Sequence, residues 1–129
     1  GDKAVLLTHV PLLPTYDGNP ALLWNWDEVQ KVCDGCSSLV LVLSGHDHDG
    51  GYVVDCAGVH HVTLPSPLNC PLGGEAFATV DMRQHSATIR GRGDVPVMEL
   101  PYRVPRESML RCGSIKELPN PFTPGMGLT

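Results

Sequence analysis

Residues Ser38 to Ser44 read Ser-Leu-Val-Leu-Val-Leu-Ser, an unbroken aliphatic run flanked by hydroxyls. The run is far shorter than the roughly 18–20 apolar residues that cross a bilayer. It also lacks the polar alternation of a strand with one wet face, so both of its faces must be covered, as in a parallel sheet between layers. It opens into Gly45-His46-Asp47-His48-Asp49-Gly50-Gly51, the densest polar cluster in the chain. A second buried-strand pattern, KAVLLT at Lys3–Thr8, runs directly into His9. Two strands of this kind with a helix between them form a βαβ unit, which implies parallel pairing and a right-handed crossover. Loops at the carboxyl ends of parallel strands collect on one edge of the sheet, so His9 and His46 are expected to be neighbours.

The intervening sequence supports that reading. Val10–Ala21 holds three prolines and the cluster Asp17-Gly18-Asn19, a loop composition. Asn25 offers an N-cap and Glu28 follows three residues later, as in a capping box, which predicts a helix from Trp26 to about Asp34 closed by Gly35. Trp24 and Trp26 are expected to flank the loop above the strands, with at least one in the core. After Gly51 the pattern changes to short strands at Tyr52–Asp55, Val59–Leu64, Ala76–Met82 and Ala87–Arg90, separated by Gly, Pro and Asn turns. They read as an antiparallel meander. From Val95 the chain is proline-rich with little periodicity. The expected organisation is therefore a domain portion at 1–94 and a Pro-rich extension at 95–129 that wraps the surface and frays toward Thr129.

Composition narrows the function classes. The formal charge of −5 argues against nucleic-acid binding, which calls for a basic patch. No apolar run of membrane-spanning length is present and no signal peptide is recognisable, so no membrane partner is expected. The chain begins at Gly1 and enters a strand almost at once, which reads as a piece of a larger domain; a processed N-terminus is the other reading. Five cysteines at irregular spacing (Cys33, Cys36, Cys56, Cys70 and Cys112) do not form a secreted disulfide framework, and a reducing, cytoplasmic setting is expected. Cys33-Asp34-Gly35-Cys36 has no second pair at zinc-ribbon distance.

The glycine-bounded cluster after Ser44 admits two readings. It is a polar turn that happens to contain histidines, or it is a metal loop in which imidazoles two residues apart reach adjacent ions. Glycines at 45, 50 and 51 allow the tight backbone that a metal loop needs, and His9 at the end of the neighbouring strand favours it. His60 and His61 sit in a strand and face opposite sides. His85 falls in a hairpin turn and is expected in solvent. Asp47 and Asp49 either orient imidazoles or are merely solvated.

Thr8-His9-Val10-Pro11 followed by Gly45-His46-Asp47-His48 resembles the last two motifs of the calcineurin-like metallophosphoesterases. Trp24-Asn25-Trp26, GHDHDGGY at Gly45–Tyr52, Gly58-Val59-His60-His61-Val62, Glu75–Val80 and Arg90-Gly91-Arg92-Gly93 narrow the resemblance to the manganese-dependent ADP-ribose/CDP-alcohol diphosphatases, over about Lys3–Pro96. The resemblance implies an α/β fold, a partial metallophosphoesterase double-sheet sandwich in which a βαβ unit is followed by an antiparallel meander. It implies hydrolysis of a small-molecule nucleotide diphosphate by a metal-activated water, with two divalent ions, manganese first and iron, zinc or magnesium as other possibilities. His9 and His46 would ligate one ion and His48 the other. Asp47, Tyr52 and Arg92 are candidates for supporting or substrate contacts. Two ions roughly 3.5–4 Å apart can clamp a phosphoryl oxygen and acidify a bridging water.

The family's D-x-H, G-D-x-x-D and G-N-H-[DE] motifs do not occur in this chain. The bridging carboxylate, the Asn ligand and the acid-supplying histidine would come from a missing N-terminal half of the domain, and this chain holds no catalytic residue of its own. The expected function is nucleotide diphosphate hydrolysis by the complete protein, with the isolated chain inactive. The alternatives are a broader phosphomonoesterase or phosphodiesterase of the same family, or a non-catalytic, truncated metal-binding module.

Overall fold

The computed structural model describes residues 1–15, 19–102 and 121–122. The elements in order are β1 (Ala4–Leu7), α1 (Trp26–Asp34), β2 (Leu39–Ser44), β3 (Gly51–Val54), β4 (His60–Thr63), a single 3-10 turn (Pro67–Asn69), β5 (Ala76–Met82), β6 (Ser86–Gly93) and β7 (Met98–Pro101). They form a four-stranded sheet in the order β1-β2-β4-β3 and a three-stranded sheet in the order β5-β6-β7. The architecture is mixed α/β with two sheets, as the resemblance implies.

β2 is the centre of the first sheet. It pairs parallel with β1, Leu41 opposite Val5 and Leu43 opposite Leu7, and parallel with β4, Leu41 opposite His60 and Ser44 opposite Thr63. Its aliphatic run serves two cores. Val40 and Leu41 join Val62 with Ala87, Ile89, Met98 and Leu100 of the second sheet. Leu39 and Val42 join Leu12, Val59 and Cys33, with Val29 of α1 packed against them. Covering on both sides is the reason the run shows no polar alternation.

Five features differ from the sequence expectation. β3 and β4 pair antiparallel with each other but belong to the first sheet, because β4 also pairs parallel with β2; only β5, β6 and β7 form the separate antiparallel meander. All four residues of β4 are buried, the mark of an interior strand rather than a meander strand. Met98–Pro101 is a strand, with Met98 and Leu100 inward and Glu99 and Pro101 outward. Its brief alternation is hidden between prolines, and Pro101 is tolerated because β7 is an edge. Asn25 occupies the N-cap of α1 without a side-chain cap bond, so the capping box does not form, and Gly35 closes the helix in a right-handed conformation. Trp24 is 93% exposed and Trp26 37%, so neither is core. Cys56 is disulfide-bonded, which the reading of a reducing setting did not anticipate, whereas Cys33 and Cys70 are free thiols. The expected course of the chain from 103 to 120 and from 123 to Thr129 lies outside the described residues, as do Asp17 and Gly18. Among the described residues, no helix is long and apolar enough to cross a membrane.

Two buried histidines of β4 brace the fold on opposite faces. His60 Nε2 lies 2.8 Å from the Pro101 carbonyl oxygen of the other sheet, and its Nδ1 lies 2.8 Å from the Tyr52 hydroxyl. A carbonyl only accepts, so Nε2 carries the proton and Tyr52 donates to Nδ1. The Tyr52 ring lies nearly parallel to the imidazole, centroids 5.9 Å apart. His61 Nε2 meets Asp55 Oδ2 at 3.1 Å, and Gln30 of α1 donates to the same oxygen at 3.0 Å. Burial alone would raise the Asp55 carboxyl. Hydrogen bonds from His61, the Val59 N–H and Gln30, with the nearby His61 charge, outweigh it and hold the carboxyl below its ordinary value.

Burial pushes the His60 imidazole below its ordinary value, only partly offset by its bond to Pro101. The unfolded chain therefore binds this proton at higher pH than the folded chain does. The neutral-state stability is present above about pH 6.5, the ordinary imidazole value, and declines as the pH falls from there toward the folded pKa. Thermal unfolding followed across this range should show a fall in Tm below about pH 6.5 that is shallower in His60→Phe. Equal slopes in the two proteins would show that His60 does not carry this dependence.

Candidate metal centre

The strand ends assemble the site. Beyond the last ladder pairs the chains remain zipped: Thr8 N–H donates to the Leu43 carbonyl at 3.0 Å, Gly45 N–H to the His9 carbonyl at 3.0 Å, and Leu64 N–H to the Ser44 carbonyl at 2.8 Å. Across β2 and β4 the Ser44 and Thr63 hydroxyls bond at 2.9 Å. Three carboxyl ends are thereby held side by side. They open into a cleft of about 570 Å³ whose walls include Leu7–His9, Leu43–His46, His48 and Leu64–Leu68. The placement follows from parallel pairing on both sides of β2, since only parallel neighbours deliver their carboxyl ends to the same edge.

His9 and His46 are brought into contact, ring centroids 5.2 Å apart in an edge-to-face arrangement. The Thr8 hydroxyl donates to the Val10 carbonyl at 3.0 Å and fixes the turn that carries His9. His46 adopts φ 67°, a left-handed conformation unusual for a side chain of this size. Non-glycine residues in this region persist where surrounding contacts over-determine them, and they concentrate at functional sites. His48 lines the same cleft, with Nδ1 3.2 Å from Asn69 Oδ1.

Asp47, between the two loop histidines, turns inward. It is buried, its Oδ2 accepts from Asn19 Nδ2 at 3.0 Å, and its Oδ1 accepts from the Asp49 N–H at 3.3 Å. The carboxylate thus orients the loop backbone and not an imidazole. Asn19, also buried, accepts the Ala21 N–H at 2.8 Å. Gly51 lies against the same preceding segment: a Cβ there would fall 2.5 Å from the Thr15 side chain. With Asp47 turned inward, no carboxylate lines the cleft among the described residues. Among the described residues, no group of three or more His, Cys, Asp or Glu side chains is arranged to hold a metal ion.

The remaining candidates are elsewhere. Tyr52 does not reach the cleft, because its hydroxyl is committed to His60 within the core. Arg92 is exposed on β6 opposite Phe77 and does not line the cleft. Asp49 is exposed in the loop, and His85 is exposed. His60 and His61 are structural. Asn19, Ser66 and Asn69 contribute to the site without a sequence signal: Asn19 falls in a stretch of loop composition, and Ser66 and Asn69 in a turn between strands.

Comparison with known proteins gives a consistent result. The chain is 40% identical over 89 residues to the manganese-dependent ADP-ribose/CDP-alcohol diphosphatase of Arabidopsis thaliana, covering 69% of this chain and 29% of the relative. It is 33% identical over 111 residues to the protein of the same name from Homo sapiens, covering 86% of this chain and 32% of the relative. The crystal structure of a dimetal phosphatase from Danio rerio superposes with a TM-score of 0.73 at 31% identity, covering 78% of this chain and 32% of that one. The chain thus spans about three-tenths of the length of the curated relatives it matches. No family model matches the chain.

The Asn19–Asp47 bond is the contact that ties the histidine loop to the preceding segment. Asn19→Ala and Asp47→Ala should each lower stability by about 1–3 kcal/mol, the cost of leaving a buried partner unsatisfied. Because the two share one bond, the double variant should fall short of the sum, with a coupling of about 0.5–3 kcal/mol by urea denaturation. Strict additivity would mean that the contact does not hold the loop.

Proposed function

We propose that this chain, which belongs to the metallophosphoesterase family of the manganese-dependent ADP-ribose/CDP-alcohol diphosphatases, supplies the imidazole side of a two-metal site that hydrolyses nucleotide diphosphate compounds in the complete protein. The observation that carries this reading is the meeting of His9 and His46 at 5.2 Å, from the ends of adjacent parallel strands, with His48 in the same cleft. Those strands are far apart in sequence, and nothing in core packing requires exposed imidazoles at both ends.

The donor set fits the ions. Neutral imidazole suits manganese, iron and zinc, and three such groups open on one cleft. It fits them incompletely, because among the described residues the cleft lining contains no carboxylate. Oxygen donors must therefore come from outside the cleft lining formed by the described residues. Bound divalent ions acidify a water and neutralise charge on the phosphoryl oxygens. The chain's own residues contribute orientation. The strand ladders fix His9 and His46 relative to each other, the Asp47–Asn19 contact fixes the loop between His46 and His48, and the aliphatic side chains of Leu7, Leu43, Leu64 and Leu68 line the cleft. The substrate is a small nucleotide diphosphate such as ADP-ribose or a CDP-alcohol, the class named for the relatives.

In the complete protein, His46→Ala and His48→Ala should each abolish AMP release from ADP-ribose, since a two-metal clamp fails when either ion is lost. Asp47→Ala should be milder, on the order of a 10–100-fold loss, because it acts through the loop and not on the metals. The 129-residue chain alone should release no AMP even with excess Mn²⁺. Comparable rates from chain and complete protein would overturn the division of ligands proposed for this site.

A further inference from the structure

The turn after β4 is built onto His48 at two points. Ser66 N–H donates to the His48 carbonyl at 3.1 Å, which docks the turn on the histidine loop. Ser66 also shapes the turn: its hydroxyl accepts the Leu68 N–H at 3.2 Å, and its carbonyl accepts the Asn69 N–H at 3.2 Å. Pro67, next in line, has its φ preset by the ring. Asn69 is thereby delivered to the imidazole, with Oδ1 3.2 Å from His48 Nδ1. An isolated hydrogen bond between exposed side chains would do little to hold a ring. Here both partners hang from a backbone clamp, so the contact is largely preformed.

We propose that Asn69 is a positioning residue for His48. Its side-chain carbonyl accepts the Nδ1 proton, so the neutral ring carries its lone pair on Nε2 and presents that nitrogen to the cleft. The inference rests on the reading of His48 as a metal ligand for its purpose, but the tautomer itself is a property of the metal-free chain. A histidine that ligates through one ring nitrogen characteristically donates the other N–H to an oxygen acceptor. Without such an acceptor, neutral imidazole in water favours the opposite tautomer, with the proton on Nε2, which would block that nitrogen.

The test is long-range ¹H–¹⁵N correlation on the ¹⁵N-histidine-labelled 129-residue chain at about pH 8, above the ordinary imidazole pKa. His48 should show the Nδ1–H tautomer. Asn69→Leu should move it to the Nε2–H form, and Asn69→Asp, which keeps an acceptor, should restore Nδ1–H. The other imidazole signals, His60 among them, report whether the fold is intact. An Nε2–H tautomer in the unsubstituted chain, or no change in Asn69→Leu, would overturn the proposal. A separate measurement addresses the reading beneath it. In the complete protein, Mn²⁺ affinity measured by electron paramagnetic resonance should drop on the order of 10–100-fold in Asn69→Leu and recover in Asn69→Asp. A tautomer change with unaltered Mn²⁺ affinity would reject His48 as a ligand while leaving the positioning contact in place.

Discussion

Everything at the cleft depends on parallel pairing along both edges of β2. Had β1 or β4 run the other way, its carboxyl end would lie at the far edge of the sheet, and His9 or the Leu64–Asn69 turn would be absent from the cleft. The pairing is made possible by the aliphatic content of the strand. Leu39–Leu43 can be covered on one side by α1 and its neighbours and on the other by the second sheet. A strand with one polar face could not accept both layers. The chemistry of the edge is thus a consequence of burial in the middle, and the exposed histidines are held by residues that never touch solvent.

The two sheets are coupled through polar as well as apolar contacts. His60 joins β4 to Pro101 at the end of β7 and to Tyr52 on β3, spanning both sheets with one imidazole. A buried ring of this kind is stabilising only while neutral and bonded at both nitrogens, and both conditions are met here. Its neighbour His61 points to the opposite face and serves α1 through Asp55 and Gln30. Adjacent residues of one strand thereby brace both layers that cover the sheet, one hydrogen-bond network to each.

What was legible in the sequence follows from how local its causes are. The Leu39–Ser44 strand, the Trp26–Asp34 helix and the histidine loop are each dictated by contiguous residues, and each forms where the residues indicate. The His9–His46 contact was also legible, because it depends only on the rule for parallel strand ends. The second neighbour of β2 was not. Val59–Leu64 is a short apolar strand under either topology, and its parallel pairing is decided by a partner outside its own hairpin. β7 was hidden because its alternation covers only four residues beside prolines. Asn19 and Asn69 were invisible for a related reason: a side-chain amide that acts across a gap of 28 or 21 residues leaves no periodic trace. The same holds for Tyr52, a candidate for substrate contact on its sequence, whose packing role shows only with His60 beside it.

The inward turn of Asp47 carries the argument one step beyond the fold. A carboxylate between two imidazoles proposed as metal ligands would be well placed to join them in ligation, yet it is buried against Asn19 and its own loop backbone. Its effect is to fix the direction in which His46 and His48 leave the loop, at a position where His46 already holds a left-handed backbone. The chain thus uses the buried carboxylate of this loop for rigidity, and among the described residues it is imidazoles that line the cleft. Two divalent cations held by neutral imidazoles alone would leave their charge uncompensated in a narrow space, which makes tight binding depend on anionic oxygens from another part of the polypeptide or from the substrate itself. The proposed function therefore calls for anionic oxygens beyond the side chains that line the cleft among the described residues.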